Sequence, residues 1–417
     1  MPAAKKPSQL TITSYQVGFG DCYLLSFHYP DKKRHVLMDF GTKFRSKVKF
    51  KVDMKAVAER IKVDCGGELA MVVATHRHYD HISGFETKKD GSGPGDIIRS
   101  CKPKLVLQPW TEDPKLPKDA TSPKAVRTHV NALAAMNALA DSLTENVDAL
   151  ASLDTKELSG VAAELSYLGG DNITNKSAVE NLMTMAGKDR RNYKYLNLGS
   201  KLDVSALLPG VEIQVLGPPT LAQSAEIKNY AQSSEDYWKF RALATAPIRT
   251  AAAGGAFFED GRATAPSSVQ WFARRLKMMR ADSLFQIVRS LDAVMNNTSL
   301  ILLFQIGAKR LLFPGDAQLE NWSAALKEPK VRALLADVDL YKVGHHGSFN
   351  ATPRKNLWEK FRKRGKASFV TLLSTHAGEY NDVPLTTFVE TLEKESRLLS
   401  TASYAKAQLS KSVTVDF

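Results

Sequence analysis

Hydrophobic and polar positions along the chain fall into two kinds of pattern, and they are not mixed evenly. Residues 9–39 read as short strands and tight turns: LTITSYQV alternates, VGFGD turns on two glycines, CYLLSFHY is apolar, and RHVLMDFGT ends a strand in a turn. Helical spacing follows over residues 53–61. LAMVVAT and PKLVLQPW (residues 103–110) are continuous apolar runs, as expected of strands covered on both faces. Residues 124–187 change character and become rich in Ala, Leu, Asn and Glu at helical periodicity, as in AVRTHVNALAAMNALADSL. Strand character returns at VEIQVLGPP. It gives way over residues 220–294 to an irregular and helical stretch holding AAAGGAFFEDGRATAPSS and WFARRLKMMR. The last third alternates again: SLILLFQIG, KRLLFPGD, a helix from Leu319, VDLYKVGHHGS, ASFVTLLSTH and a helix near Leu385. No internal repeat of fixed period is visible.

This layout predicts an α/β fold whose core is interrupted twice. Residues 8–120 and 295–417 supply its two halves and residues 196–220 a further core strand. Residues 121–195 and 221–294 form helical or irregular insertions. Of the 417 residues, 43 % are hydrophobic and 24 % charged, an ordinary globular balance. No apolar stretch reaches the length of a membrane span, and MPAAKKPSQLTITS has no apolar region after its lysines, so no secretory signal is expected. Cys22, Cys65 and Cys101 are few, odd in number and without CxxC spacing, which argues against disulfides and thiolate zinc sites. A cytoplasmic location is expected.

The chemistry-bearing segment is Thr75-His76-Arg77-His78-Tyr79-Asp80-His81, directly after the strand LAMVVAT. Side chains at i and i+2 of extended chain point the same way, so His76 and His78 can grip one ion, while Asp80 and His81 begin the next turn near a second. Imidazole and carboxylate donors suit Zn²⁺, Fe or Mn²⁺. Later in the chain, Phe313-Pro314-Gly315-Asp316 closes an apolar strand with a carboxylate able to bridge two cations. Val343-Gly344-His345-His346-Gly347-Ser348 follows another strand. Adjacent residues on extended chain face opposite ways, so one histidine is expected as ligand; His345 is preferred, with His346 left as a supporting or substrate contact.

HRHYDHISG, then LLFPGD, then KVGHHGS, in this order, resembles the metallo-β-lactamase superfamily. More narrowly it is similar to the hydrolase domain that ends bacterial competence (DNA-uptake) channel proteins. VGFGDCYLL, LMDFGT and NNTSLILLF add to the likeness, which spans about the first 110 and last 120 residues. The resemblance implies a four-layer αββα sandwich with helical insertions and two divalent ions, Zn²⁺ favoured and Mn²⁺ possible. It puts His76 and His78 on one ion, Asp80, His81 and His345 on the other, and Asp316 between them. Asp39 would steady the histidine loop from behind, and Asp21 would shape the same rim. Two departures stand out. A further histidine for the first ion could come only from His129, inside the Ala-rich stretch. The histidine-proline pair expected near the C-terminal end is replaced by STHAGEYNDVPLTTF, where His376 could compensate.

The expected reaction is hydrolysis by water activated between two cations, with Asp80 orienting the nucleophile and His346, His376 or Tyr380 assisting the leaving group. The formal charge of +13 and pI near 9.4 favour a polyanionic partner. Lys43, Arg45, Lys47, Lys49 and Lys51 alternate through TKFRSKVKFK and, if extended, make a stripe able to follow phosphates, with Phe44 and Phe50 able to stack on bases. Further basic clusters are Arg274, Arg275, Lys277 and Arg280, and Arg362, Lys363, Arg364 and Lys366. Together these point to a phosphodiesterase or nuclease acting on nucleic acid or a nucleotide. An esterase, lactonase or β-lactam-type hydrolase of the same fold is the alternative, and a metal-poor binding module for nucleic acid or protein the third reading.

Overall fold

The computed structural model describes residues 6–43, 52–113, 176–220, 223, 298–376, 383–405 and 408–417. It is an α/β structure with two mixed sheets. The first contains β1 (Gln9–Tyr15), β2 (Cys22–His28), β3 (Lys33–Phe40), β4 (Met71–Val73), β5 (Val106–Pro109) and β6 (Tyr193–Leu196). It is completed at the other edge by the last strand of the chain, β13 (Ser410–Asp416), in the order β13-β1-β2-β3-β4-β5-β6. The second contains β7 (Glu212–Gly217), β8 (Ile301–Ile306), β9 (Lys309–Phe313), β10 (Leu340–Lys342), β11 (Val370–Leu373) and β12 (Arg397–Ser400), in the order β12-β11-β10-β9-β8-β7. Seven α-helices occur among the described residues: α1 (Met54–Asp64), α2 (Tyr79–Ile82), α3 (Pro94–Ser100), α4 (Lys176–Leu182), α5 (Leu319–Lys327), α6 (Pro329–Ala336) and α7 (Thr386–Glu395).

The continuous apolar runs are strands buried on both faces, and their parity shows what covers each face. In and beside β8, Leu300, Leu302, Phe304 and Ile306 join a cluster with Leu10, Ile12, Leu25, Phe27, Val36 and Met38 of the first sheet. The intervening Ile301 and Leu303 pack instead with Trp322 and Ala325 of α5, Leu335 of α6 and Leu392 of α7. The first sheet repeats the arrangement: Leu37 and Val72 pack with Val57 and Ile61 of α1, Ile98 of α3 and Leu182 of α4. Burial at about 25 cal/mol per Å² of apolar surface makes these three clusters the main source of stability. Helix α1 starts where the sequence placed it. Asp53 caps it, accepting from the backbone N–H groups of Lys55 at 2.9 Å and Ala56 at 3.2 Å.

One boundary differs from the sequence expectation. Residues 176–195, assigned to the helical insertion, belong to the first sheet's side of the fold: Ala178, Leu182, Met185 and Ala186 are core residues, and β6 pairs in parallel with β5. Helical periodicity carries no information about which sheet a helix covers, so in sequence α4 is indistinguishable from the Ala-rich run before it. The C-terminal third contributes to both sheets, because β13 crosses back to pair antiparallel with β1. The remainder of both insertions, with His129, Arg274, Arg275, Lys277 and Arg280, lies outside the described residues. Among the described residues no helix is long and apolar enough to cross a membrane.

Candidate metal centre

The chemistry-bearing residues sit on the segments that leave strand ends. Asp39 ends β3, residues 75–81 leave β4, Asp316 follows β9, and His345 and His346 follow β10. Backbone hydrogen bonds fasten these segments to each other. Leu300 donates to the carbonyl of Thr75 at 2.8 Å, Asp21 to that of Asp80 at 2.9 Å, and Gly41 to that of Asp21 at 3.1 Å. Both sheets therefore deliver side chains to one rim.

Asp39 organises the histidine segment. Its Oδ1 accepts from the backbone N–H of Thr75 at 2.7 Å, and its Oδ2 accepts from Thr75 Oγ1 at 2.7 Å and His81 Nδ1 at 2.8 Å. Because a carboxylate only accepts, His81 carries its proton on Nδ1, and its Nε2 faces Asp316 Oδ2 at 3.0 Å. Thr75 Oγ1, having donated to Asp39, can accept from His76 Nδ1 at 3.2 Å. That leaves His76 Nε2 as the lone-pair nitrogen, buried and, among the described residues, without a hydrogen bond. A buried imidazole acceptor with nothing to accept is unusual in a folded protein and is the natural state of a ligand nitrogen. The His76 ring lies 4.6 Å from that of His78 and 4.1 Å from that of His81, centroid to centroid.

Donor atoms of Asp80, His81, Asp316 and His346 all lie within 4.8 Å of one another, and all four residues are buried. Ligands held about 2.1 Å from one ion can be at most about 4.2 Å apart, so this spacing suits a divalent cation after small adjustments. His346 Nδ1 donates to the carbonyl of Ser374 at 3.0 Å, which turns Nε2 toward Asp80 Oδ2 at 3.1 Å and Asp316 Oδ2 at 3.4 Å. His345 is looser: its side chain is 23 % exposed and its Nε2 lies 3.9 Å from Asp316 Oδ2.

The geometry brings His346, and not the preferred His345, into the converging set. The preference rested on alternation along extended chain, and neither residue is extended. His345 (φ 45°) and His346 (φ 53°) are both left-handed, a conformation that costs on the order of 1–2 kcal/mol per non-glycine residue. The turn brings both imidazoles toward Asp316, with His346 the deeper of the two. His376 lies half-buried beyond β11 and is not among the four converging residues, and Tyr380 falls outside the described residues.

The electrostatics of the site set burial against close opposite charges. Burial, together with His81 and His78 nearby, holds His76 well below the usual imidazole range, so it is neutral and able to coordinate. Burial pulls His81 and His346 the same way. The carboxylates overcome it: Asp316 and Asp39 hold His81 well above its usual range, and Asp316 and Asp80 raise His346. Burial pushes Asp80 and Asp316 up, yet His346 and His81 keep both well below the usual carboxylate range. A divalent ion would take the place of the protons that these imidazoles hold for the carboxylates.

Several contributors carry no motif in the sequence. Lys342 is buried beside Asp21 and Asp316. Its signal would have been the one charge in the otherwise apolar run LYKVG. Arg77 points away from its histidine neighbours and lays its guanidinium on Glu112, with Nε 3.0 and 2.9 Å from the two carboxylate oxygens. Both side chains are mostly buried, so Glu112→Gln is expected to cost about 3 kcal/mol, the range for breaking a buried pair. Urea unfolding of the metal-free protein measures this; a loss under about 0.5 kcal/mol would place the pair with ordinary surface bridges.

The basic clusters fare differently. Lys43, the one described member of the proposed phosphate stripe, is 4 % exposed and bridges to Phe19; Arg45, Lys47, Lys49 and Lys51, with Phe44 and Phe50, lie outside the described residues. In the later cluster Arg362 pairs with Asp337 at 3.2 Å, Lys363 with Asp339 at 2.8 Å and Arg364 with Glu395 at 3.1 Å. Those three charges are already answered by carboxylates. Compared with known proteins, the chain matches no family model and no curated protein sequence.

Proposed function

We propose that this chain is a metal-dependent hydrolase with a metallo-β-lactamase-type αββα core and a centre for two divalent ions, and that a phosphodiester is its substrate. One observation carries the reading. Four buried donors (Asp80, His81, Asp316 and His346) converge beside a neutral His76 whose Nε2 accepts no hydrogen bond among the described residues. Nothing in packing demands that set, since each buried polar group costs free energy unless satisfied. Three apolar clusters, one shared by both sheets and one between each sheet and its helices, support the four-layer reading.

When bound, the ions would supply Lewis acidity and an activated water. His76 and His78 would hold one; Asp80, His81, His346 and His345 would hold the other, with Asp316 between them. The rest of the work belongs to the chain. Asp39 and the Ser374 carbonyl fix which imidazole nitrogens face the centre. The Asp80 carboxylate, kept ionised, orients the attacking water and accepts its proton. His345, the most exposed of the group, is placed to meet the substrate.

The net charge of +13 supports the phosphodiester. The buried Lys43 and the paired Arg362, Lys363 and Arg364 favour a second reading, a carboxylic ester or lactam cleaved at the same centre. Hydrolysis of bis(p-nitrophenyl) phosphate and of p-nitrophenyl acetate by Zn²⁺- or Mn²⁺-loaded protein, against His78→Ala, separates them. Phosphodiester cleavage lost in the variant is expected. Ester cleavage alone, lost in the variant, would select the second reading. Neither activity would refute hydrolysis of both classes.

A further inference from the structure

Lys342 ends β10 at 2 % exposure, on the same face of the strand as Leu340, which belongs to the cluster between the sheets. A lysine there is costly unless its ammonium is answered. It is answered on three sides. Nζ forms an ion pair with Asp21 Oδ2, lies 3.2 Å from the carbonyl of Gly315 and 3.5 Å from Asp316 Oδ1. The other oxygen of Asp316, Oδ2, faces the imidazoles: 3.0 Å from His81 Nε2, 3.4 Å from His346 Nε2 and 3.9 Å from His345 Nε2.

The geometry points to Lys342 as the positioning residue of the metal centre, an internal cation that takes Asp316 Oδ1 and so commits Oδ2 to the ions. The inference rests on the metal reading above and refines it. A free aspartate can rotate about its side-chain bonds and offer either oxygen or both. Here one oxygen is held by the ammonium, and the Gly315 carbonyl fixes the turn from which the side chain springs. Asp21 then has a different task from the other carboxylates: it anchors the ammonium and is not needed as a ligand. Lysine suits this better than arginine, because a compact charge can sit among three oxygens where a planar fork would demand more room.

Removing Lys342 alone would leave Asp21 buried with only the His81 and His346 imidazoles 3.7 Å away, so folding and positioning must be separated. The experiment measures Zn²⁺ affinity by competition with a chromophoric chelator, and the visible spectrum of the Co²⁺-loaded protein. The proteins are the parent chain, Asp21→Asn, Lys342→Arg and the double variant Asp21→Asn/Lys342→Met. Asp21→Asn keeps the grip on Asp316 and is expected within about threefold of the parent, whereas the double variant, with both charges gone, is expected to bind about 10–100-fold more weakly with a changed Co²⁺ spectrum. Lys342→Arg keeps a charge opposite Asp21 and is expected to weaken binding about tenfold for want of a point contact. Parent-like affinity and spectrum in both the arginine and the double variant would overturn the inference, leaving Lys342 as a neutraliser of Asp21. Failure of the parent chain to bind Zn²⁺ at all would instead overturn the metal reading, and this one with it.

Discussion

Asp316→Asn is expected to reduce hydrolysis by on the order of a thousandfold and to lower the metal content of the purified protein by at least about one ion per chain. Asp316 faces three of the centre's imidazoles and the buried Lys342. Its Oδ2 faces His81, His346 and His345, while its Oδ1 faces Lys342. The amide keeps the shape and removes the charge. It also presents an N–H₂ group either to the ions or to the ammonium, and both arrangements are repulsive. The fold is expected to survive, because Lys342 keeps its ion pair with Asp21. Elemental analysis and steady-state rates on the loaded protein check both parts together. Unchanged metal content with a thousandfold slower reaction would make Asp316 a reaction group and not a ligand.

The second large effect is expected at a residue that has no side chain. Gly41 lies against the turn that carries Asp80 and His81. A Cβ there would stand 2.4 Å from the Asp80 carbonyl carbon and the His81 nitrogen, and 2.6 Å from the Asp80 oxygen. These are backbone atoms, so no side chain can swing away to make room. Gly41→Ala must therefore shift the turn or the end of β3, at a cost of about 1–3 kcal/mol for overpacking. Because Asp80 and His81 move with the turn, Zn²⁺ affinity is expected to fall by roughly tenfold or more, as for loss of a ligand-supporting contact. Thermal unfolding and chelator competition on the same sample read the two effects. Loss of stability with parent-like affinity would mean that the strain is absorbed in β3.

Much of the fold was legible because its strands are either alternating or wholly apolar, and each of those patterns has one structural meaning over short lengths. LAMVVAT, VEIQVLGPP, SLILLFQIG and KRLLFPGD all became strands. The place of α4 and β6 was not legible, because sequence order does not say which edge of a sheet a strand joins. Within the site, the histidine segment and Asp316 could be read from residue type and spacing. The ranking of His345 and His346 could not, because two consecutive left-handed residues break the alternation on which the ranking depended. Lys342 and the Arg77–Glu112 pair were hidden for another reason. Their roles come from partners 26 to more than 300 residues away in the chain, and no local pattern records such a contact.

The central claim is that His76, His78, Asp80, His81, Asp316, His345 and His346 form a centre for two ions. It is tested most directly by the metal content of the purified chain after loading with Zn²⁺ or Mn²⁺ and removal of the excess. About two ions per chain are expected, falling to about one in His78→Ala. A parent chain that retains neither metal after loading would contradict the claim outright.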